Sequence, residues 1–355
     1  MIKRIWKIIL IALGILVILA AALIAWLTAT EYRPADVEQV PVEHIGESLP
    51  LTAEPEGMEF RILSWNTGYG DLDKNSDFFM DGGTHVRNHD TETVTQNVTQ
   101  IRDTVASLAP DFCFLQEVDT DSARSGGISQ RAVYATAFAN NAYARNYSCA
   151  FVPYPLPFIG KVNSGLCTLT DYPVESAERI ALPCPFSWPV SVANLKRCLL
   201  VSRIPLDGTD RELVMINLHL EAYDDGEGKA AQTKMLREIM EREYAAGNYV
   251  VAGGDFNQSF PEALDAYPIK NPELWTPGIL SDADLSEGWH FAYDVSVPSC
   301  RLLNRPYDPD SPETQFYTID GFILSPNVEL KQVETLDMGF AWTDHNPVLL
   351  DMKLK

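Results

Sequence analysis

Val250-Val251-Ala252-Gly253-Gly254-Asp255-Phe256-Asn257 is an apolar run that ends in two glycines and then presents an Asp and an Asn two residues apart. Side chains at i and i+2 of a strand share a face, so two oxygen-bearing groups leave the end of a buried strand together. The glycines let a ligand approach the backbone. The stretch predicts a buried strand whose tip can hold a hydrated metal ion or an attacking water. Taken alone, Gly-Asp before a turn is equally ordinary turn chemistry. Its company elsewhere in the chain decides.

Five other stretches set polar groups at or beside a strand. Phe60-Arg61-Ile62-Leu63-Ser64-Trp65-Asn66 is a β-rich run closing on an amide before Thr67-Gly68. Asp111-Phe112-Cys113-Phe114-Leu115-Gln116-Glu117-Val118 is a short buried strand with a carboxylate near its end. Such a group is costly in an apolar setting unless something positive meets it, and a metal ion or an Arg or Lys partner would each serve. Asn217-Leu218-His219 puts Asn217 and His219 on one face of the second strand of a hairpin that turns at Asp207-Gly208. Gln315 to Leu324 carries Asp320 before Gly321, and Thr343-Asp344-His345-Asn346-Pro347 precedes the last strand, Val348 to Leu354.

Helices are expected between these strands. Val94, Val98, Ile101, Val105 and Leu108 recur at helical steps from Thr91 until Pro110 stops the run, and Gly228 to Tyr244 has Ala231, Met235, Ile239 and Met240 on one side. Residues 71–90 hold Asp71, Asp73, Asp77, Asp81, His85 and His89. Ser76 stands where a calcium loop needs Gly, and Gly82 where it needs a bidentate Glu, so the segment reads as a solvated insertion. Residues 258–314 read as loops.

The N-terminus is a different solvent problem. Lys3, Arg4 and Lys7 flank an uncharged run from Ile8 to Leu27. About 20 apolar residues at ~1.5 Å rise match a hydrocarbon core of roughly 30 Å. The run is longer than the apolar part of a cleaved signal peptide, and the basic flank is expected to stay in the cytoplasm. The reading is residues 1–7 as basic flank, 8–27 as transmembrane anchor, 28–56 as an extended Pro- and Glu-rich stalk, and 57–355 as one domain on the far side of the membrane. The chain carries 27 basic and 49 acidic residues, a formal charge of −22. That balance lacks the basic footprint that non-specific binding of nucleic acid requires. None of the six cysteines forms a CxxC pair, which argues against a zinc site and leaves disulfides open.

Each residue above has a bland explanation; the ordered series Trp-Asn66, Gln-Glu117, Asn217-Leu-His219, Gly-Asp255-Phe-Asn257, Ile-Asp320 and Thr-Asp344-His345 does not. It resembles the endonuclease/exonuclease/phosphatase superfamily, which includes DNase I, abasic-site endonucleases, neutral sphingomyelinases and inositol-polyphosphate 5-phosphatases. The resemblance implies a four-layer α-β-β-α sandwich, here preceded by one transmembrane helix, and Mg²⁺-dependent phosphate-ester hydrolysis, with Mn²⁺ or Ca²⁺ as alternatives. It implies Glu117 as chief metal ligand, with Asn66 and Asp344 at or beside the metal. Asp255, helped by Asn257, would activate water. His345, held by Asp320, and His219 would serve the phosphoryl oxygens. A monomer acting on a small or lipid-borne phosphate ester is expected; an extracellular nuclease and a non-catalytic binding protein are the competing functions.

Overall fold

Alternation along the central strands builds the architecture. In Glu59–Asn66, Phe60 and Ile62 face one way while Leu63 and Trp65 face the other, and all four are buried. Tyr249 and Val251 likewise separate from Val250 and Ala252 in Tyr249–Asp255. Strands buried on both faces need a layer on each side. A computed structural model describing residues 2–51 and 55–355 shows those layers.

In chain order, α1 (Ile2–Ala29) precedes two short strands, β1 (Val37–Val40) and β2 (Val42–His44), and then β3 (Glu59–Asn66). Helix α2 (Thr91–Leu108) leads to β4 (Phe112–Asp119), and α3 (Gln130–Ala135) to β5 (Asn140–Val152), β6 (Gly160–Thr170), β7 (Ser176–Ala181), β8 (Cys198–Pro205) and β9 (Glu212–His219). Helix α4 (Glu227–Ala245) then returns the chain to β10 (Tyr249–Asp255). The segment expected as loops contains α5 (Pro261–Ala266), an edge strand β13 (His290–Ala292), and two small pairs: β11 (Gln258–Ser259) with β12 (Gly278–Ile279), and β14 (Cys300–Arg301) with β15 (Phe316–Tyr317). Strands β16 (Asp320–Leu324), β17 (Val328–Thr335) and β18 (Val348–Leu354) finish the chain.

Two seven-stranded sheets result, ordered β17-β18-β3-β4-β6-β5-β2 and β1-β7-β8-β9-β10-β16-β13. Within them only β3/β4 and β9/β10 run parallel, each pair joined by a crossover helix, α2 or α4. Ile62, Phe112 and Phe114 meet Met215, Val251 and Phe322 between the sheets. Helices α2 and α3 cover the outer face of the first sheet, and α4 that of the second. This is the α-β-β-α sandwich.

Two expectations are corrected. The segment after the helix is not an extended stalk: β1 pairs with β7 and β2 with β5, one on each sheet edge. Its Val-x-x-Val and Val-Glu-His pieces supply the β-branched residues and free N–H groups that an open edge accepts. Residues 52–54 of the expected stalk, like Met1 of the basic flank, lie outside the described residues. Residues 71–90 are not a solvated insertion either, since Asp71, Asp73, Ser76, Asp77 and Asp81 are buried. Asp71 accepts from the backbone of Asn88 and His89, Asp73 pairs with His89 at 2.9 Å, and Asp77 pairs with His85 at 2.9 Å. The acids close the loop on itself. All six cysteines are free thiols.

Helix α1 is long and apolar enough to cross a membrane, with a mean hydropathy of 3.3.

Candidate active site

Inward alternation, apolar in the middle of the sandwich, turns polar at one end. On β3 the inward series continues from Ile62 through Ser64 to Asn66; on β9 it runs Leu213, Met215, Asn217, His219; on β10 it runs Tyr249, Val251, Gly253, Asp255. Asp255 is in register with His219 on one side and with Asp320 on the other. Three side chains therefore share one level between the sheets. The carboxyl ends of two parallel strand pairs converge there, the usual place for a ligand crevice between such strands. Gly254 permits the approach: at φ 147°, a Cβ there would stand 2.0 Å from the Leu218 carbonyl oxygen.

Glu117 breaks the alternation. With Phe112, Phe114 and Gln116 inward, strict period two would turn it to the helix side. Instead the ladder to β6 slips between Leu115 and Val118, and Glu117 takes φ 55°. A bulge re-aims a side chain, and a bulky residue held at positive φ is strain retained by its surroundings. Glu117 Oε1 thereby accepts from Asn66 Nδ2 at 3.3 Å. Gln116 stays inward and donates to Asn217 Oδ1 at 2.9 Å, and Asn217 donates to the Cys167 carbonyl at 3.0 Å. Asn217 thus bolts the two sheets together beneath the site.

The Asp344-His345 loop closes the ring. Thr343 Oγ1 donates to the Asn66 carbonyl at 3.0 Å, and Trp65 Nε1 donates to the His345 carbonyl at 2.9 Å. Gly68, at φ 50°, must be a glycine here, because a Cβ would lie 2.8 Å from Thr343 Oγ1 and 3.0 Å from Asp344 Oδ1. His345 Nδ1 lies 2.8 Å from Asp320 Oδ2, which also accepts from Ser299 Oγ at 2.7 Å.

Asp255 is the hub. Its Oδ1 accepts from the Asn257 N–H at 2.8 Å. Its Oδ2 lies 3.0 Å from Asn66 Nδ2, 3.5 Å from His219 Nε2 and 3.9 Å from His345 Nε2. Burial, reinforced by Asp320, pushes its carboxyl well above the carboxylate range. Burial also opposes charge on His345, but Asp320 outweighs it and holds the imidazole above its ordinary value. His219 goes the other way: burial, with Arg197 and His345, keeps it neutral, and its Nδ1 has no hydrogen-bond partner among the described residues. Asn257 spends its amide on the Leu220 carbonyl at 2.9 Å.

Glu117 and Asp344 have no basic side chain within ion-pair distance among the described residues. Burial pushes both carboxyls up, against the charge of Arg124 at Glu117 and of His345 and Arg301 at Asp344. Two acids that share one cleft and have no direct ion pair among the described residues fit a hard divalent cation. Cys300 also lies close to Asp344 and His345, but burial pushes its thiol up to about 12, and its soft sulfur suits a hard ion less well than the carboxylates do.

These groups form the floor of a cleft of about 780 Å³. All eight residues singled out from the sequence lie together at this end of the sandwich; seven line the cleft directly, and Asp320 stands behind His345. The cleft also holds residues to which the sequence assigned no role. Arg124 sits 3.7 Å over the Tyr69 ring and pairs with Asp119 at 3.0 Å. Arg301 is buried, donating to the carbonyls of Asp73 and Ser76. Asp81 accepts from Tyr223 Oη at 3.1 Å. Arg301 lies in a stretch without periodicity, so nothing local marks it.

Comparison with known proteins agrees with this arrangement. The description of the endonuclease/exonuclease/phosphatase family matches residues 63–345. No curated protein matches the sequence. Among solved structures, an endonuclease/exonuclease/phosphatase from Beutenbergia cavernae is similar at TM-score 0.57 and 15% identity, covering 83% of this chain and 72% of that one. One from Bacteroides vulgatus is similar at TM-score 0.52 and 16% identity, covering 84% and 100%. TDP2 from Caenorhabditis elegans is similar at 0.50 and 16%, covering 84% and 75%. At such identities the likeness is one of fold, while the family match spans every element of the site: the chain belongs to the endonuclease/exonuclease/phosphatase family, a family of phosphoester hydrolases.

Proposed function

We propose that this chain hydrolyses a phosphate ester by in-line attack of a water activated at Asp255, with Mg²⁺ held by Glu117 and Asp344 and with Asn66 beside it. The reading is carried by one observation: two carboxylates, the half-buried Glu117 and the buried Asp344, line the cleft with no ion-pair partner among the described residues. Mn²⁺ or Ca²⁺ would suit the same oxygen donors. When bound, the cation neutralises charge on the phosphoryl and leaving oxygens.

The protein groups divide the remaining work. Asp255, fixed through Oδ1 by the Asn257 N–H, presents Oδ2 to the water and takes its proton. The water oxygen bonds phosphorus as the ester P–O bond breaks, and a proton ends on the leaving oxygen. His345, kept charged by Asp320, donates from Nε2 to a phosphoryl oxygen as charge builds there. His219, kept neutral, offers a second donor. Asn66 donates to Glu117 and Asp255 together and sets their spacing.

The basic flank at Lys3, Arg4 and Lys7 supports a membrane-anchored enzyme with the sandwich, β1 and β2 included, as the catalytic domain outside the cytoplasm. Hydrolysis of bis-p-nitrophenyl phosphate by the purified full chain tests the proposal. Activity is lost in EDTA and restored by Mg²⁺; full turnover after exhaustive chelation rejects it.

A further inference from the structure

We infer that the mouth of the cleft lies on the bilayer, and that the substrate is the phosphate ester of a membrane lipid taken from the leaflet in which the anchor ends. The inference rests on the hydrolase reading above and adds to it where the substrate comes from.

The first support is how the helix meets the domain. Helix α1 ends at Ala29 and β1 begins at Val37, and the residues between are pinned rather than free. Glu31 accepts from Lys196 Nζ at 2.8 Å, and Thr28 Oγ1 accepts from Trp188 Nε1 at 3.1 Å. Leu27, at the end of the apolar run, is buried against Tyr147, Val152 and Val192, with Leu23 one turn deeper packing on the same cluster. Residues packed on the last turns of a membrane span stand at the depth of those turns. The domain therefore rests on the membrane.

The second support is which part of the domain does so. Tyr147, Val152, Ile159, Ala193 and Leu195 belong to the cluster that receives the helix, and the same five line the cleft. One layer of side chains separates the anchor from the cleft.

The third support is what surrounds the mouth. Two short loops beside that wall leave large apolar side chains in the open: Leu156 is 77% exposed, Tyr154 68%, Trp188 62%, Val190 57% and Phe158 45%. Tyr154 and Val190 also line the cleft. An apolar patch of this size carries a solvation cost in water, and a Trp tied to the end of a span belongs in the interfacial layer. Phe78, Phe79 and Phe186 line the same cleft as Asp255 and His345. An amphiphile fits that lining, with its chain on the aromatic side chains and its phosphate at Asp255 and His345. Hydrolysis consumes one water, breaks one ester P–O bond and leaves a phosphorylated and a hydroxyl product.

The test uses the full chain in proteoliposomes of phosphatidylethanolamine, phosphatidylglycerol and sphingomyelin, read by phosphorus NMR, beside hydrolysis of bis-p-nitrophenyl phosphate. A lipid phosphorus signal is expected to change. Leu156→Glu is expected to slow that change at least about fivefold, because an interfacial apolar contact becomes a charge, while the soluble ester is turned over within about twofold of wild type. A fluorophore on Leu156→Cys, in a Cys184→Ser background, is expected to be quenched by brominated lipid. Turnover of the soluble ester with no change in any lipid signal overturns the inference and leaves the hydrolase reading standing. So does a label quenched only from the aqueous phase. Failure of both substrates removes the hydrolase reading, and this inference falls with it.

Discussion

His345 Nδ1 and Asp320 Oδ2 lie 2.8 Å apart, buried, with Ser299 Oγ donating to the same carboxylate oxygen. The pair fixes which imidazole nitrogen faces the cleft and keeps the ring charged. Asp320→Asn retains the shape and an acceptor oxygen but removes the charge, so the ring loses its cationic character. Turnover is expected to fall at least ~10²-fold with KM changed little, because the loss is felt as charge builds on the phosphoryl group. The alkaline limb of the kcat profile, where the charged ring is lost, should move to lower pH. A fall confined to KM would make Asp320 a substrate-binding residue instead.

Much of the site was legible because strands impose period two. Asn217 and His219, or Asp255 and its in-register partners, reach one face by counting alone. What counting could not supply were departures from it. Glu117 reaches the cleft only through the slipped ladder and a positive φ, and its neighbour Gln116 keeps the inward position that alternation assigns. Arg124 and Arg301 are held by Asp119 and by main-chain carbonyls far away in sequence, contacts without local periodicity. The acid-rich 71–90 segment misled because its carboxylates are satisfied by the backbone of the same loop, which composition reads as solvation. The stretch after the anchor misled similarly, since which strand edges stand open is known only once both sheets exist.

Glu117→Gln separates a metal ligand from a structural residue. The wild-type carboxyl is half-buried with no ion-pair partner among the described residues, and desolvation raises it against the charge of Arg124, so the cation-free protein bears a cost there. The amide removes that cost and binds a hard cation poorly. The variant is expected to lose activity by at least ~10²-fold, the scale of a transition-state charge contact. In EDTA its Tm should match or exceed that of wild type, and the rise in Tm on adding Mg²⁺ should shrink. A lower Tm in EDTA with an intact Mg²⁺ response would assign Glu117 to the fold.

Asn217 makes the opposite case. It accepts from Gln116 at 2.9 Å and donates to Cys167 at 3.0 Å, fully buried between the sheets. Asn217→Ala takes from Gln116 its shortest acceptor, leaving longer contacts to Ser64 Oγ at 3.4 Å and the Phe114 carbonyl at 3.3 Å, and takes a donor from the Cys167 carbonyl. Urea unfolding should show a loss of about 1–3 kcal/mol at an unchanged slope. Turnover per folded molecule should stay within a few-fold of wild type if Asn217 serves the sandwich and not the phosphate.

Asp81 gives the pH dependence. Burial, with Asp344 adding to it, raises its carboxyl from 3.8 to about 7, against the bonds from the Leu303 N–H and Tyr223 Oη. Between its unfolded value and that pH the folded chain holds a proton that the unfolded chain has released. Stability from this group therefore falls as pH rises through the window, is intact below it, and is fully lost above about 7. The whole effect is on the order of 4 kcal/mol, since each pKa unit is worth about 1.4 kcal/mol. Asp81→Asn keeps both contacts, its oxygen accepting from Leu303 and its amide donating to Tyr223, and it does not ionise. In EDTA the variant should be more stable than wild type near about pH 8, and the gap should narrow steadily as pH is lowered toward about 4. A gap independent of pH would show that Asp81 is not the group that titrates in this window.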